Sequence, residues 1–234
     1  MKENIESKNI GNRKFIIELR YEPKVTLLDS KGALVEKIQE TKLFPCSHWE
    51  IGQSEVIVRD EKMKEDAHNV IIVTLNRICF ISYKIDSVES FYANFCKVYD
   101  AVTKVLFPLK ITRIGCRIIG TYKANSSDFK NILKNFQDSF PAKFLLKKYP
   151  AKYLLFHLKY ENGMYQIGPI DINDDFYSRE FDIPDCTKHV GFAIDTDNYL
   201  TNEAQEINEK SLIKEVYKLS LSVEKELFSN LMNF

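Results

Sequence analysis

The chain has 234 residues, enough for one large domain or two small ones around a substantial core. Apolar residues make up 44% and charged residues 28%, the balance of an ordinary globular protein. Its 33 basic residues offset 33 acidic ones, which disfavours a dedicated nucleic-acid binder but leaves room for a local basic patch.

The opening MKENIESKNIGNRK is polar, lacks the apolar core of a signal peptide, and leads to the expectation of a flexible segment over residues 1–13. KFIIELRYEP alternates and ends at Pro23, as a strand does. In the next segment Leu27 or Leu28, Leu34, Val35 and Ile38 recur at helical spacing. HWEIGQSEVIVRD reads as one or two strands. NVIIVTL and ICFISYK are two more, joined near Asn76-Arg77 by a hairpin. The run NVIIVTLNRICFISY is too short and too interrupted to cross a membrane. Asp86 or Ser87 is a natural N-cap for a helix traced by Val88, Phe91, Phe95, Val98, Val102 and Leu106, which stops near Pro108.

The pattern then restarts. ITRIGCRIIGTYK is a strand, SSDFKNILKNFQDSF a capped helix, YLLFHLKY-ENG-MYQIGPI a strand, turn and strand, HVGFAIDTD a further strand, and Ile207 to Leu231 a long helix. Two α+β halves, 14–108 and 109–234, are expected to form one globular unit. The order implies two pseudo-repeats of strand, helix, antiparallel strands and helix, sharing one mostly antiparallel sheet with helices on one face. That order resembles the TATA-binding-protein-like or helix-grip topology, which carries no function with it.

Within LKITRIGCRIIGTYK, alternation puts Thr112, Ile114, Cys116, Ile118 and Tyr122 on one strand face, with Arg113, Gly115 and Arg117 on the other. In FAIDTDNY it puts Asp195 and Asp197 on one face, and in the first strand Glu18 and Arg20 share a face. Two readings stand side by side. The arginines and aspartates form an ion-pair ladder across strands. Alternatively they form an anion or partner site, with the arginine fork suited to carboxylate or phosphate and Gly115 allowing close approach to the backbone.

FIIELRY, TRIGCRII and HVGFAIDTDNYL together resemble a sporadically distributed family of uncharacterised bacterial proteins. That family has a Leu-Arg-aromatic first strand, a Thr-Arg-Ile-Gly-x-Arg central strand and an Asp-x-Asp motif before a long C-terminal helix. Arg20, Thr112, Arg113, Gly115, Arg117, Asp195 and Asp197 match the pattern, and Cys116 departs from it. The resemblance implies no established activity. Scattered occurrence implies mobile genes beside defence or toxin-type systems, such as antiviral defence.

Catalytic motifs are sparse. No GxGxxG, Walker loop or GxSxG occurs. Asp171, Asn173 and Asp175 stand at calcium-loop spacing, but Phe176 occupies the glycine position and Asp182 the glutamate position. Asp60-Glu61-Lys62 ends a strand as in metal-dependent nucleases, without a second acidic strand. His48, His68, His157 and His189 are separated in sequence. Cys46, Cys79, Cys96, Cys116 and Cys186 are scattered and odd in number, as in a reducing cytoplasm. No metal and no cofactor is expected.

The closing helix carries a broad apolar stripe. Leu212, Val216, Tyr217, Leu219, Val223 and Phe228 are candidates for deep burial or for a subunit interface. The leading expectation is a cytoplasmic, non-enzymatic binding protein that engages another protein or a second copy through the polar sheet face or this helix, with no membrane partner. The alternatives are nucleic-acid binding by the sheet, with aromatics stacking on bases, and, remotely, a metal-dependent hydrolase.

Overall fold

A computed structural model describes residues 5–61, 67–83, 87–139, 154–172, 176–181, 189–201 and 209–233. Strands β1 (Ile10–Tyr21), β2 (His48–Ile51), β3 (Glu55–Arg59), β4 (Asn69–Thr74), β5 (Arg77–Ser82), β6 (Ile111–Lys123), β7 (Phe156–Tyr160), β8 (Gly163–Ile170) and β9 (Gly191–Thr201) form an antiparallel open sheet. Its order is β2-β3-β4-β5-β1-β6-β9-β8-β7. The helices are α1 (Leu27–Glu40), α2 (Val88–Leu106), α3 (Phe129–Asp138), α4 (Phe176–Phe181) and α5 (Glu209–Leu231). The fold is therefore α+β, as the alternation of periods predicts. Strand numbers run outward from β1 on one side and from β6 on the other, with four strands beyond β1 and three beyond β6. No helix among the described residues is long and apolar enough to cross a membrane.

The chain forms two compact units, each assembled from separated segments. One comprises Phe15–Arg117 with Asn198–Leu219; the other comprises Lys2–Lys14, Ile118–Asp197 and Ser220–Phe234. This division does not follow the sequence halves, because β1, β6, β9 and α5 each run through both units.

In the first unit, β1 pairs with β5 so that Ile17 faces Phe80 and Leu19 faces Ile78. All four side chains are buried. Phe91 of α2 stacks on Phe80 at 5.1 Å and meets Phe15 at 5.3 Å between ring centroids. Tyr217 of α5 closes this cluster, its hydroxyl donating to the Val88 carbonyl at 2.5 Å. The start of α2 is fixed by a capping box in which Ser87 and Ser90 exchange side-chain-to-backbone hydrogen bonds at 3.0 and 3.1 Å. The β4–β5 hairpin turns at Leu75-Asn76, one residue earlier than read from the sequence.

In the second unit, Tyr122 of β6 and Phe192 and Ile194 of β9 pack with Ile132 and Phe136 of α3 and Phe228 and Leu231 of α5. One carboxylate lies inside this apolar region. Glu224, on the inward face of α5 and 1% exposed, accepts from Arg13 Nε at 2.9 Å and from Arg13 Nη2 at 2.5 Å. The Tyr122 hydroxyl also donates to Glu224. Burial, and the Glu224 carboxylate beside it, hold the Tyr122 phenol well above its ordinary pKa. A two-pronged guanidinium and a phenol together occupy the carboxylate's acceptor sites, which makes a buried charge tolerable.

Two expectations are corrected here. The segment 1–13 is not wholly loose: Ser7–Asn9 form a 3-10 turn and β1 begins at Ile10. The polar run extends the strand because the Asn12 amide donates to Thr121 Oγ1 at 3.0 Å, Arg13 binds Glu224, and Ile5 is buried beside Tyr122 and Phe228. On α5, Leu212, Val216, Tyr217 and Phe228 are buried within the chain's own units and are not surface for a subunit contact; Val223 is half-buried and Leu219 is 40% exposed. The stripe is broad because successive turns of α5 serve two units.

The Arg13–Glu224 pair yields a direct stability prediction. Arg13→Ala strands the carboxylate and should cost about 3–5 kcal/mol in urea denaturation. Tyr122→Phe, which removes one donor, should cost about 1–3 kcal/mol.

Candidate binding face

In the first unit, the face turned away from α2 is built by strand alternation. On β1 it carries Ile16, Glu18 and Arg20, because Phe15, Ile17 and Leu19 are taken by the core. Register with β5 sets Arg20 opposite Arg77 and Glu18 opposite Cys79. Glu18 accepts from Arg20 Nε at 2.6 Å and from Arg77 Nη1 at 3.3 Å, so one carboxylate serves two guanidinium groups.

β6 runs antiparallel beside β1. A Cβ added at Gly115 would lie 4.0 Å from the Glu18 carbonyl oxygen, which places Gly115 beside Glu18. Arg113, two residues before Gly115, therefore falls in the row of Arg20, two residues after Glu18. Arg77, Arg20 and Arg113 thus make one row across three neighbouring strands. The Arg113 guanidinium lies over the Tyr199 ring of β9, 4.3 Å from its centroid. This is cation–π geometry, which holds the guanidinium plane against the sheet. Arg113 Nε is buried and has no hydrogen-bond partner among the described residues.

The other expected residues divide. Arg117 is half-buried, Asp195 is 2% exposed and Asp197 is half-buried, and each is engaged in an interaction of its own. Arg113 meets the Tyr199 ring. Gly115 is buried, and an added Cβ would make ordinary contacts of 3.6–4.0 Å. Arg77, Glu18 and Tyr199 belong to the face but were not singled out from the sequence. Arg77 was obscured by the hairpin, whose register brings it opposite Arg20.

The remaining candidates have local duties or stand apart. Asp60 accepts from the amides of His68 and Asn69 at 2.9 and 3.1 Å. His157 and His68 are exposed, and His48 lies 3.7 Å from Glu50, which also binds Arg59. Asn173, Asp175, Asp182, Lys62, Asp86 and Cys186 lie outside the described residues. Burial and then nearby Asp60 push the Cys46 thiol up to about 11, far from a poised thiolate. Among the described residues no three His, Cys, Asp or Glu side chains gather in a metal-binding group.

No family model matches the chain, and no curated protein matches it.

Two glycines give opposite predictions. Gly115→Ala should leave the melting temperature within about 2 °C of wild type. At Gly191 a Cβ would stand 1.8 Å from the Tyr122 carbonyl oxygen, so Gly191→Ala must part backbone segments and should lower stability by several kcal/mol, roughly 3 or more. A pH dependence follows from His189. Burial, and secondarily Lys123, lower its pKa below the ordinary 6.5. The unfolded chain then takes a proton that folded His189 resists, so this contribution is intact above pH 6.5 and is lost as pH falls through and below it. His189→Gln should reduce the loss of urea midpoint between about pH 7.5 and about pH 5.5.

Proposed function

We propose that the protein is a non-enzymatic binding protein that engages an anionic partner through the open sheet face, with Arg20, Arg77 and Arg113 as the contacting row. The observation that carries this reading is the row itself: Arg20 and Arg77 share the Glu18 carboxylate, and Arg113 beside them lies over Tyr199. Arginine presents its donors as a planar fork, which suits carboxylate and phosphate oxygens. Tyr199 fixes the Arg113 plane in advance, lowering the ordering cost of binding. Neutral overall charge favours a partner recognised by a local patch over one drawn in by a global field.

Anisotropy titration with labelled poly-glutamate tests the reading. Wild-type protein should bind, and affinity should fall with added salt. Arg20→Ala with Arg113→Ala should weaken binding by at least about 10-fold, which is about 1.4 kcal/mol. Both side chains are partly exposed, so the melting temperature should change by less than about 4 °C. Unchanged affinity in the double variant would overturn the reading.

A further inference from the structure

Beside the arginine row, on the same face, lies an aliphatic belt. Ile16 pairs with Ile81, and Ile81 with Val70. One row further along, Glu18 pairs with Cys79, Cys79 with Ile72, and Ile72 with Ile57. Cross-strand partners share a face, so Ile16, Ile81, Ile72 and Ile57 form one patch over β1, β5, β4 and β3. All four are partly exposed, while Val70, Cys79 and Arg59 in the same rows are 8%, 5% and 6% exposed; Ile17, Phe80, Ile71 and Val58 on the other face are at most 1% exposed. Four strands span roughly 15 Å, and the two rows are separated by roughly 7 Å along the strands. That footprint matches about three turns of one α-helix laid across the strands.

Four rings of this part of the sheet are already engaged: Phe15, Tyr21 and Phe80 are directed to the core, and the Tyr199 ring is covered by Arg113. None of these four is a free platform on which a base could stack.

We infer that the face takes an amphipathic helix of a protein partner, with an aliphatic stripe on Ile16, Ile57, Ile72 and Ile81 and acidic residues along one flank against Arg20, Arg77 and Arg113. The inference rests on the arginine row being the binding surface and adds the chemistry of what it binds. Charge complementarity sets the orientation: the acidic flank must lie on the arginine side of the belt.

The test is titration with a labelled helical peptide of roughly 20 residues, carrying a leucine stripe flanked on one side by glutamates. Poly-glutamate, the same peptide with lysines for glutamates, and labelled oligothymidylate serve as comparisons. The leucine–glutamate peptide should bind at least about 10-fold tighter than poly-glutamate, and the lysine peptide should not bind. Ile72→Thr with Ile81→Thr preserves strand propensity and should reduce its affinity to that of poly-glutamate. If poly-glutamate binds equally well and the isoleucine variant is unaffected, the helix inference is overturned while the arginine row stands. Tighter, steeply salt-dependent binding of oligothymidylate would overturn the partner class. If none of the anionic probes binds, the arginine-row reading falls and this inference with it.

Discussion

The two-residue period of the central strands is the constraint from which the rest follows. A strand packed under helices must supply large apolar side chains at every second position, and the intervening positions are then committed to the other face. On β1, Phe15, Ile17 and Leu19 fill the core, which obliges Ile16, Glu18 and Arg20 to face away. The same parity on β5 aims Ile78 and Phe80 inward and Arg77, Cys79 and Ile81 outward. The arginine row and the isoleucine belt are thus the complement of the aromatic core. A one-residue slip of β5 against β1 would exchange the two sets, so the register that builds the core also builds the face.

The second unit sets a different problem, a buried charge. Glu224 lies on the apolar face of α5, seven residues after Tyr217 and four before Phe228, where helical periodicity calls for an aliphatic side chain. Arg13 and Tyr122 satisfy it from β1 and β6. Such a pair adds little net stability compared with a well-packed apolar substitute, but breaking it is costly.

The fold class was legible in the sequence because it rests on periodicity. The hairpin between β4 and β5, the Ser87 cap and the parity of β6 all follow from local chemistry. The polar start of β1 was not legible. Asn12 and Arg13 look like solvated tail until Thr121 and Glu224, more than 100 residues away, supply their partners. Arg113 and Arg20 were identified by their position on strands, but their partners were not. Arg113 lies over Tyr199 and Arg20 turns back to Glu18 on its own strand, contacts that equal spacing does not give. Spacing along a strand fixes the face; which neighbour a long side chain meets depends on strand order and stagger, which no single strand encodes.

The central claim is that the sheet of the first unit turns Arg20, Arg77 and Arg113 to its partly exposed face. Arginine-directed dicarbonyl labelling of the native protein, read residue by residue by mass spectrometry, tests it most directly. Arg20, Arg77 and Arg113 should be modified early, and Arg13 and Arg59, whose side chains are 10% and 8% exposed, only after unfolding. Protection of Arg20, Arg77 and Arg113 together with early modification of Arg13 would contradict the account.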